Sequence, residues 1–547
     1  MSSLRSTEDG RRRLRLLAVG LVIAGAVAFV AGLVAGAGGG DADRRAARSF
    51  LAAWQRSDYP AMYALIPKSA QEATPLPAFA ADYRAAAATA TLRAIVPGLA
   101  AAPRGGSVVV RVVARTRLFG SVRRTMRLPV KEGRIVWSPQ LVFPGLRPGE
   151  RLSARLTAPP RATLLARDGS VLARGADRSS ALGPVAAEVV GRLGPAPPDV
   201  QSARRNAGFP ASSPAGLSGL ERIFETRLAG TPGGQLLAGS RELASVAPHR
   251  APAVRTSISP SLERAAIAGL GGRLGGAALI DPRNGQVLAL AGLAFSALQP
   301  PGSTFKIVTV TAALEAHATT LKSVYPVRTA AVLDGRTLEN ANGESCGGTL
   351  VQSFAQSCNS VFAPLGVRVG ARHLVATAER FGFNRDPAIA GVATSSIPPA
   401  STISGELDLG SSAIGQGRVQ ATALQMATVA AAIGDHGRRP RPTFLARAHG
   451  RFDRVTSPAI ARRVDQLMRA VVTGGTGTAA SIPGVTVAGK TGTAELGPSG
   501  GTDAWFVAYA PARRPRIAVG VLLVKAGAGG DAAAPVAREM LVAGLKR

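Results

Sequence analysis

Near its amino terminus the chain has an uninterrupted apolar run. Residues 16–37 carry no charged side chain. As a helix, these 22 residues would span about 33 Å, enough for a single pass through a cell membrane. Five arginines precede the run, so the positive-inside rule predicts a cytoplasmic tail at residues 1–15 and an extracytoplasmic location for the rest. A cleaved signal peptide is the alternative, since AGAGGGDA resembles a cleavage site, but its apolar region would usually be shorter.

After this run, the apolar positions recur first at the spacing of a helix and then at every second residue. In FLAAWQRSDYPAMYALIP the apolar positions recur at the spacing of one helix face, and Pro60 marks the start of a second helix. SVVVRVVARTRLF and SVRRTMRLPV alternate as strands do, and KEGR is typical of a turn. Two or three helices followed by antiparallel strands predict a small α+β cone domain at residues 41–150.

The remainder divides into two further predicted domains. Residues 151–253 are rich in Pro, Gly and Arg and show little periodicity, which indicates an extended connecting domain, or pedestal. From 254 to 547 helical and strand patterns alternate. GGAALIDPRNGQVLALAG predicts a hairpin with its turn at 282–285, and APVAREMLVAGLKR predicts a closing helix. An antiparallel sheet flanked by helices is the predicted core.

Composition excludes some functions. The net charge is +32, from 65 basic and 33 acidic residues, which reflects either an arginine-rich proteome or attraction to an anionic surface such as lipid headgroups. Nucleic-acid binding is not expected, because the basic residues are scattered and aromatics make up 4%. Five scattered histidines and two cysteines offer no metal-ligand spacing, so neither a metal nor a cofactor is predicted.

The stretch PGSTFK places a lysine in an apolar helical pattern. Pro301 and Gly302 make Ser303 the first residue that can begin a helix, where free N–H groups favour negative charge. Lys306 lies three positions on, hence on the same face. Burial lowers the pKa of a lysine, and a neutral amine can take the serine proton. A lysine reaching out to water is the alternative; arginine, which this chain uses almost everywhere else, cannot serve as a base.

Two later stretches complete a pattern. AQSCNSVF contains Ser357 and Asn359, and VAGKTGTAEL ends an apolar strand. The latter contributes Lys490, Thr491, Gly492 and Thr493. Each stretch is common singly, but together and in this order they resemble the S-x-x-K, S-x-N and K-T-G motifs of the serine penicillin-binding protein and β-lactamase superfamily.

The resemblance extends over most of the chain. PGSTFKIVTVTAAL, GQGRVQATALQMA and AWFVAYAP are similar to the transpeptidase domain of class B penicillin-binding proteins. FLAAWQRSDYPAMYALIP and IVWSPQLVFPGLRPGERL resemble the N-terminal domain of the methicillin-resistance type, and GLSGLERIFETRLAGTPG resembles the connecting domain. The implied fold is multidomain α+β: a transmembrane helix, a cone domain, a connecting domain and a serine transpeptidase/β-lactamase-like domain.

The resemblance also implies four catalytic residues. Ser303 is the expected nucleophile and Lys306 its base. Ser357 is expected to relay a proton toward the leaving amine, and Lys490 to supply a positive field. These roles follow from the matching motifs.

Substrate-binding residues are implied in the same way. Asn359 is expected to hold the substrate amide, and Thr491 and Thr493 its carboxylate. Gly492 fits a strand that the acyl group approaches closely. In this family the backbone N–H groups of Ser303 and Thr493 form the oxyanion hole.

The implied activity is a membrane-anchored D,D-transpeptidase that cross-links peptidoglycan stem peptides and is acylated by β-lactams. No glycosyltransferase motif of the E-D-x-x-F-x-x-H-x-G type occurs in the chain, so a polytopic membrane glycosyltransferase is the expected partner. Three alternatives stay open: a D,D-carboxypeptidase, a β-lactamase and a non-catalytic β-lactam-binding division scaffold. A β-lactamase would need a deacylating base that the sequence does not show, and a scaffold would be expected to lose a motif residue.

The two cysteines form a last candidate pair. Cys346 and Cys358 lie 12 positions apart on the predicted extracytoplasmic side, where disulfides persist. Two unpaired small side chains are the alternative.

Overall fold

The computed structural model describes residues 40–497 and 500–546. The predicted tail at 1–15 and membrane helix at 16–37 lie outside these residues. Within the described ranges no helix combines the length and the apolarity that a membrane crossing needs.

The chain folds into two compact units. Of the described residues, the first unit comprises 40–159 together with Ala196–Ser213 and Gly230–Arg250, and the second comprises the others. Residues 151–253, predicted as one connecting domain, are therefore distributed over both units.

The described helices are, in chain order, α1 (40–55), α2 (Tyr59–Tyr63), α3 (Lys68–Ala73), α4 (Leu76–Thr89), α5 (Pro184–Val190), α6 (Pro198–Ala207), α7 (Gly219–Ile223), α8 (Glu225–Leu228), α9 (Pro260–Leu270), α10 (Lys306–Glu315), α11 (Leu350–Ala355), α12 (Asn359–Val369), α13 (Ala371–Arg380), α14 (Gly405–Ala413), α15 (Ala423–Gly434), α16 (Pro458–Gly474) and α17 (Gly529–Leu545).

The described strands are β1 (Leu92–Ala100), β2 (Ser107–Thr116), β3 (Ser121–Lys131), β4 (Arg134–Ile135), β5 (Leu152–Thr157), β6 (Leu164–Leu165), β7 (Val171–Ala173), β8 (Leu193–Gly194), β9 (Ala215–Gly216), β10 (Gly233–Ala238), β11 (Arg241–Val246), β12 (Val254–Arg255), β13 (Gly275–Ile280), β14 (Val287–Gly292), β15 (Val324–Arg328), β16 (Ala330–Leu333), β17 (Arg336–Glu339), β18 (Cys346–Thr349), β19 (Arg438–Pro440), β20 (Phe452–Arg454), β21 (Ala488–Glu495), β22 (Thr502–Ala510) and β23 (Ile517–Leu523).

The first unit buries one face of an antiparallel sheet in the order β1-β2-β3-β4. In β2 the alternating side chains of Val108, Val110 and Val112 are buried, as the period of a strand requires. Phe79 and Tyr83 of α4 belong to the same core, with ring centroids 5.0 Å apart. Helices followed by antiparallel strands thus occur where the sequence pattern predicts them.

The second unit is built on a five-stranded antiparallel sheet in the order β14-β13-β23-β22-β21. The predicted hairpin is present: β13 pairs with β14, and the Asp281 side chain accepts a hydrogen bond from Arg283 N at 3.0 Å in the turn. Gly285 has φ +76°, and a Cβ there would lie 2.3 Å from Arg441 O. Only glycine fits this turn.

Both faces of this sheet are covered. In β22 the side chains of Trp505, Val507 and Tyr509 enter one core, with α10 and α15. The alternate side chains of Ala504 and Phe506 enter the other, with α9 and α17. A sheet buried on two sides favours apolar residues at successive positions, which explains why β22 is continuously apolar from Ala504 to Ala510. The predicted antiparallel sheet flanked by helices is confirmed.

A disulfide joins Cys346, the first residue of β18, to Cys358, which precedes α12. Both side chains are buried, and Ser360 Oγ donates a hydrogen bond to Cys346 O at 3.4 Å. The bridge therefore fixes the turn at Ser357 against β18.

We expect the double variant Cys346→Ala, Cys358→Ala to unfold at a lower temperature than the parent protein. Closing a short loop restricts the unfolded chain and is worth about 3 kcal/mol in the chain-entropy model. The thermal midpoint measures the loss. A reducing agent should lower the parent midpoint but leave the variant unchanged, and two free thiols in unreduced parent protein would contradict the bridge.

Candidate active site

Ser303 lies in a single 3₁₀ turn, Gly302–Phe305, that leads directly into α10. The turn approaches β21 so closely that a Cβ on Gly302, whose φ is +51°, would lie 2.8 Å from Thr493 O. Gly302 N also donates to Gly415 O at 2.9 Å. Since residues i and i+3 eclipse in a 3₁₀ turn, Lys306 is presented on the side of Ser303, as the sequence predicts.

Lys306 is fully buried, and its Nζ contacts the second motif. It donates to Ser357 O and to Asn359 Oδ1, both at 2.6 Å, and more weakly to Ser357 Oγ at 3.4 Å. Among the described residues these are its hydrogen-bond partners, rather than Ser303. Burial holds the pKa of Lys306 well below its ordinary value, and the nearby charge of Lys490 lowers that pKa further.

Lys490, on β21, is the second buried amine of the site. Its Nζ donates to Ser357 Oγ at 2.8 Å and to Thr491 O at 3.1 Å. Burial lowers the pKa of Lys490 to about 7. The hydroxyl of Ser357 therefore lies within reach of both lysines.

Ser357 is held in an unusual backbone conformation. Its φ is +62°, in the left-handed region that few non-glycine residues adopt. The flanking turn is fixed by hydrogen bonds from Ser357 N to Phe354 O at 3.2 Å and from Cys358 N to Ser353 O at 3.0 Å. Strain of this kind persists only where surrounding contacts enforce it.

Asn359 begins α12 with both ends of its amide engaged. Oδ1 accepts from Lys306, and Nδ2 donates to Glu339 O at 2.7 Å. One N–H and one lone pair of the amide remain for a ligand. Asn359 is thus oriented before any substrate arrives.

The third motif brings strand β21 against the turn of Ser303. A Cβ on Gly492 would lie 2.8 Å from Pro301 O and 3.0 Å from Thr304 Cγ2. The close neighbour that requires glycine here is therefore the catalytic turn itself. Thr491 Oγ1 hydrogen-bonds Thr476 Oγ1 at 2.6 Å.

These residues surround a cleft of about 290 Å³. From the predicted set it is lined by Ser303, Ser357, Asn359, Thr491 and Thr493. It is also lined by polar residues that sequence reasoning missed, among them Glu344, Gln416, Thr476, Glu495 and Asp531. Gln416 lies in GQGRVQATALQMA and Glu495 ends VAGKTGTAEL, so proximity to a motif was a usable signal for these two. Glu344, Thr476 and Asp531 lie outside the motif stretches.

Comparison with known proteins identifies the domain that contains this cleft. A family model of the penicillin binding protein transpeptidase domain matches residues 275–542. Peptidoglycan D,D-transpeptidase PbpA of Mycolicibacterium smegmatis is 38% identical over 288 residues, which cover 46% of this chain and 56% of that protein. Peptidoglycan D,D-transpeptidase FtsI of Escherichia coli K12 is 28% identical over 377 residues, 60% of this chain and 63% of that protein. The chain thus spans little more than half the length of these relatives.

Solved structures agree over a larger part of the chain. The D,D-transpeptidase domain of a peptidoglycan glycosyltransferase from Eggerthella lenta is 30% identical with a TM-score of 0.58, and the similarity covers 71% of this chain and 98% of that one. Penicillin-binding protein A of M. tuberculosis, solved as an imipenem acyl-enzyme complex, is 27% identical with a TM-score of 0.59, covering 71% and 98%. The chain belongs to the penicillin-binding protein transpeptidase family, in its class B branch.

Proposed function

We propose that the protein is a D,D-transpeptidase that cross-links peptidoglycan stem peptides through an acyl-enzyme at Ser303, and that β-lactams acylate the same serine. One observation carries the proposal: Lys490 Nζ lies 2.8 Å and Lys306 Nζ 3.4 Å from Ser357 Oγ, in the cleft that Ser303 lines. Family membership and the acyl-enzyme of the M. tuberculosis protein support it.

The two buried lysines suit two different tasks. Desolvation disfavours both charges, and each charge disfavours the other, so the cluster holds one proton more readily than two. Lys306 feels both effects and titrates well below its ordinary pKa, whereas Lys490 titrates at about 7. The direction of these shifts favours Lys306 as the group that accepts a proton and Lys490 as the group that carries the positive charge.

Acylation follows from this arrangement. The Ser303 hydroxyl gives its proton to Lys306 while its Oγ bonds to the carbonyl carbon between two terminal D-alanines. Backbone N–H groups of Ser303 and Thr493 donate to the developing oxyanion. The C–N bond then breaks, and the leaving amine takes a proton from Ser357, which Lys306 replenishes across 3.4 Å.

Deacylation reverses the proton path. An amine of a neighbouring stem peptide attacks the ester and passes a proton through Ser357 to Lys306. The bond between the carbonyl carbon and Ser303 Oγ then breaks, and Lys306 returns the proton to that oxygen. If water attacked instead, the protein would be a D,D-carboxypeptidase with the same residues. The proposal is transpeptidation, because the relatives PbpA and FtsI carry the name D,D-transpeptidase.

We also propose that the protein is anchored in the cell membrane by residues 16–37, with the catalytic unit on the extracytoplasmic side. The uncharged run and the arginines before it support this orientation. The domain order predicted at 41–150, 151–253 and 254–547, a methicillin-resistance-type N-terminal domain and a polytopic membrane glycosyltransferase partner belong to the same proposal.

Ser303→Ala should abolish covalent labelling by a fluorescent penicillin and the joining of a stem pentapeptide to an amine acceptor. The fold should persist, because losing one hydroxyl at a cleft costs about 1 kcal/mol or less. Gel fluorescence and mass spectrometry of the joined product measure the two losses, and the thermal midpoint checks the fold. Labelling that survives the substitution would identify another nucleophile, and parent protein that only releases D-alanine would be a carboxypeptidase.

Lys306→Arg should be nearly as inactive as Lys306→Ala. Arginine keeps the charge but cannot accept the serine proton. The rate of penicillin acylation, measured by stopped-flow or quenched labelling, should fall more than about tenfold, or 1.4 kcal/mol in barrier. An arginine variant that retained more than a tenth of the parent rate would show that Lys306 is not the base.

Acylation should depend on pH through Lys490. Its pKa of about 7 means that the positive charge is present below this value and is lost as pH rises through it. The second-order rate constant of acylation, which reports the free enzyme, should therefore decline above neutrality.

Lys490→Arg is the matched control, because arginine stays charged across this range. Its overall rate can be lower, but its profile should lack the decline near neutrality. A parent rate that is flat or rises from roughly pH 6 to 9 would contradict this role of Lys490.

A further inference from the structure

The second unit contains another polar cavity, of about 170 Å³, that shares no lining residue with the cleft of Ser303. Its walls are the loop that follows α13, the start of α15 and the hairpin of β19 and β20. Its charged lining residues are Arg385, Asp386, Arg439, Arg441 and Asp453. Three arginines thus face two aspartates, and the lining carries a net positive charge.

The carboxylates do not satisfy all of these arginines. Asp453 accepts from Arg441 at 2.6 Å and from Arg439 at 2.8 Å, so one carboxylate serves two guanidinium groups. The Asp386 side chain accepts a backbone hydrogen bond in its own loop. Arg385 is exposed and has no ion pair with any residue that the structure describes.

Arg439 is the buried member of the set. It is 8% exposed, and its Nε has no hydrogen-bond partner among the described residues. Burial lowers the pKa of Arg439, and the charges of Arg385 and Arg441 act in the same direction. A buried donor without an acceptor is unfavourable, so this wall of the cavity is incomplete without one.

Gly382 holds the guanidinium of Arg439 in position. Its φ is +103°, and a Cβ there would lie 2.2 Å from Arg439 Nη1. The backbone at Gly382 therefore leaves a space for the guanidinium of Arg439, and any side chain at position 382 would fill that space. The cavity has room for about five water molecules at ~30 Å³ each, which is the size of one phosphate or carboxylate group with little attached.

We propose that this cavity binds a small oxyanion, a phosphate or carboxylate group, between Arg439 at its wall and Arg385 at its mouth. Arginine presents N–H donors in a planar fork that matches both kinds of group. Asp453 keeps its two arginines in place, while the bound anion supplies the missing negative charge. The proposal does not depend on the chemistry of Ser303.

The test is calorimetric titration of the full chain in detergent, in chloride buffer, with sodium phosphate in one experiment and sodium acetate in another. One saturable site is expected for at least one anion, and the tighter of the two identifies the group bound. Arg385→Ala should weaken this binding about tenfold by removing a charge-assisted hydrogen bond. Arg385→Glu should abolish it.

Arg462→Ala is the matched control. Arg462 is an exposed arginine of α16 that does not line the cavity, so its variant should bind like the parent. Because Arg385 is also exposed, its variants are expected to fold. Absence of saturable binding for both anions would overturn the proposal. So would binding that Arg385→Ala leaves within about twofold, since the anion would then lie elsewhere, for instance at the threonines of the cleft.

Discussion

Two amines that are buried close together cannot both stay protonated without a cost in desolvation and in charge repulsion. The catalytic unit is organised around that constraint. Lys306 and Lys490 come from α10 and β21, and they meet at a serine from a third segment. Desolvation lowers the pKa of both amines, and the charge of Lys490 lowers the pKa of Lys306 further. The cluster therefore holds one proton more readily than two. In the proposed mechanism this lets Lys306 act as the base while Lys490 carries the positive charge.

Holding three segments at one point depends on backbone that only particular residues tolerate. Gly302 and Gly492 let the turn of Ser303 lie closely against β21. On the other side, Ser357 keeps a left-handed conformation because the disulfide at Cys358 and the hydrogen bonds of its turn fix it. The core of helices and sheet is rigid enough to hold this strained backbone in place.

Sequence reasoning named residues that the structure brings together at the cleft, but not the contacts between them. Motif order identified Ser303, Lys306 and Ser357, and periodicity located the hairpin and the closing helix. Periodicity shows which face of an element is buried, not which distant segment covers it. For that reason Glu344 and Asp531 of the cleft were missed, as was the distribution of residues 151–253 over two units. The membrane helix at 16–37 stays a prediction.

The close contact at Gly302 and Gly492 also limits which substitutions the site tolerates. A Cβ on Gly302 would meet Thr493 O and a Cβ on Gly492 would meet Pro301 O, so enlarging either glycine would displace the turn that carries Ser303. Substitutions that change the shape of the cleft without moving this turn are expected at its rim instead, where Glu344, Gln416 and Asp531 line the cleft. Residues at the rim can therefore change without moving the turn of Ser303, whereas the two glycines at the floor cannot.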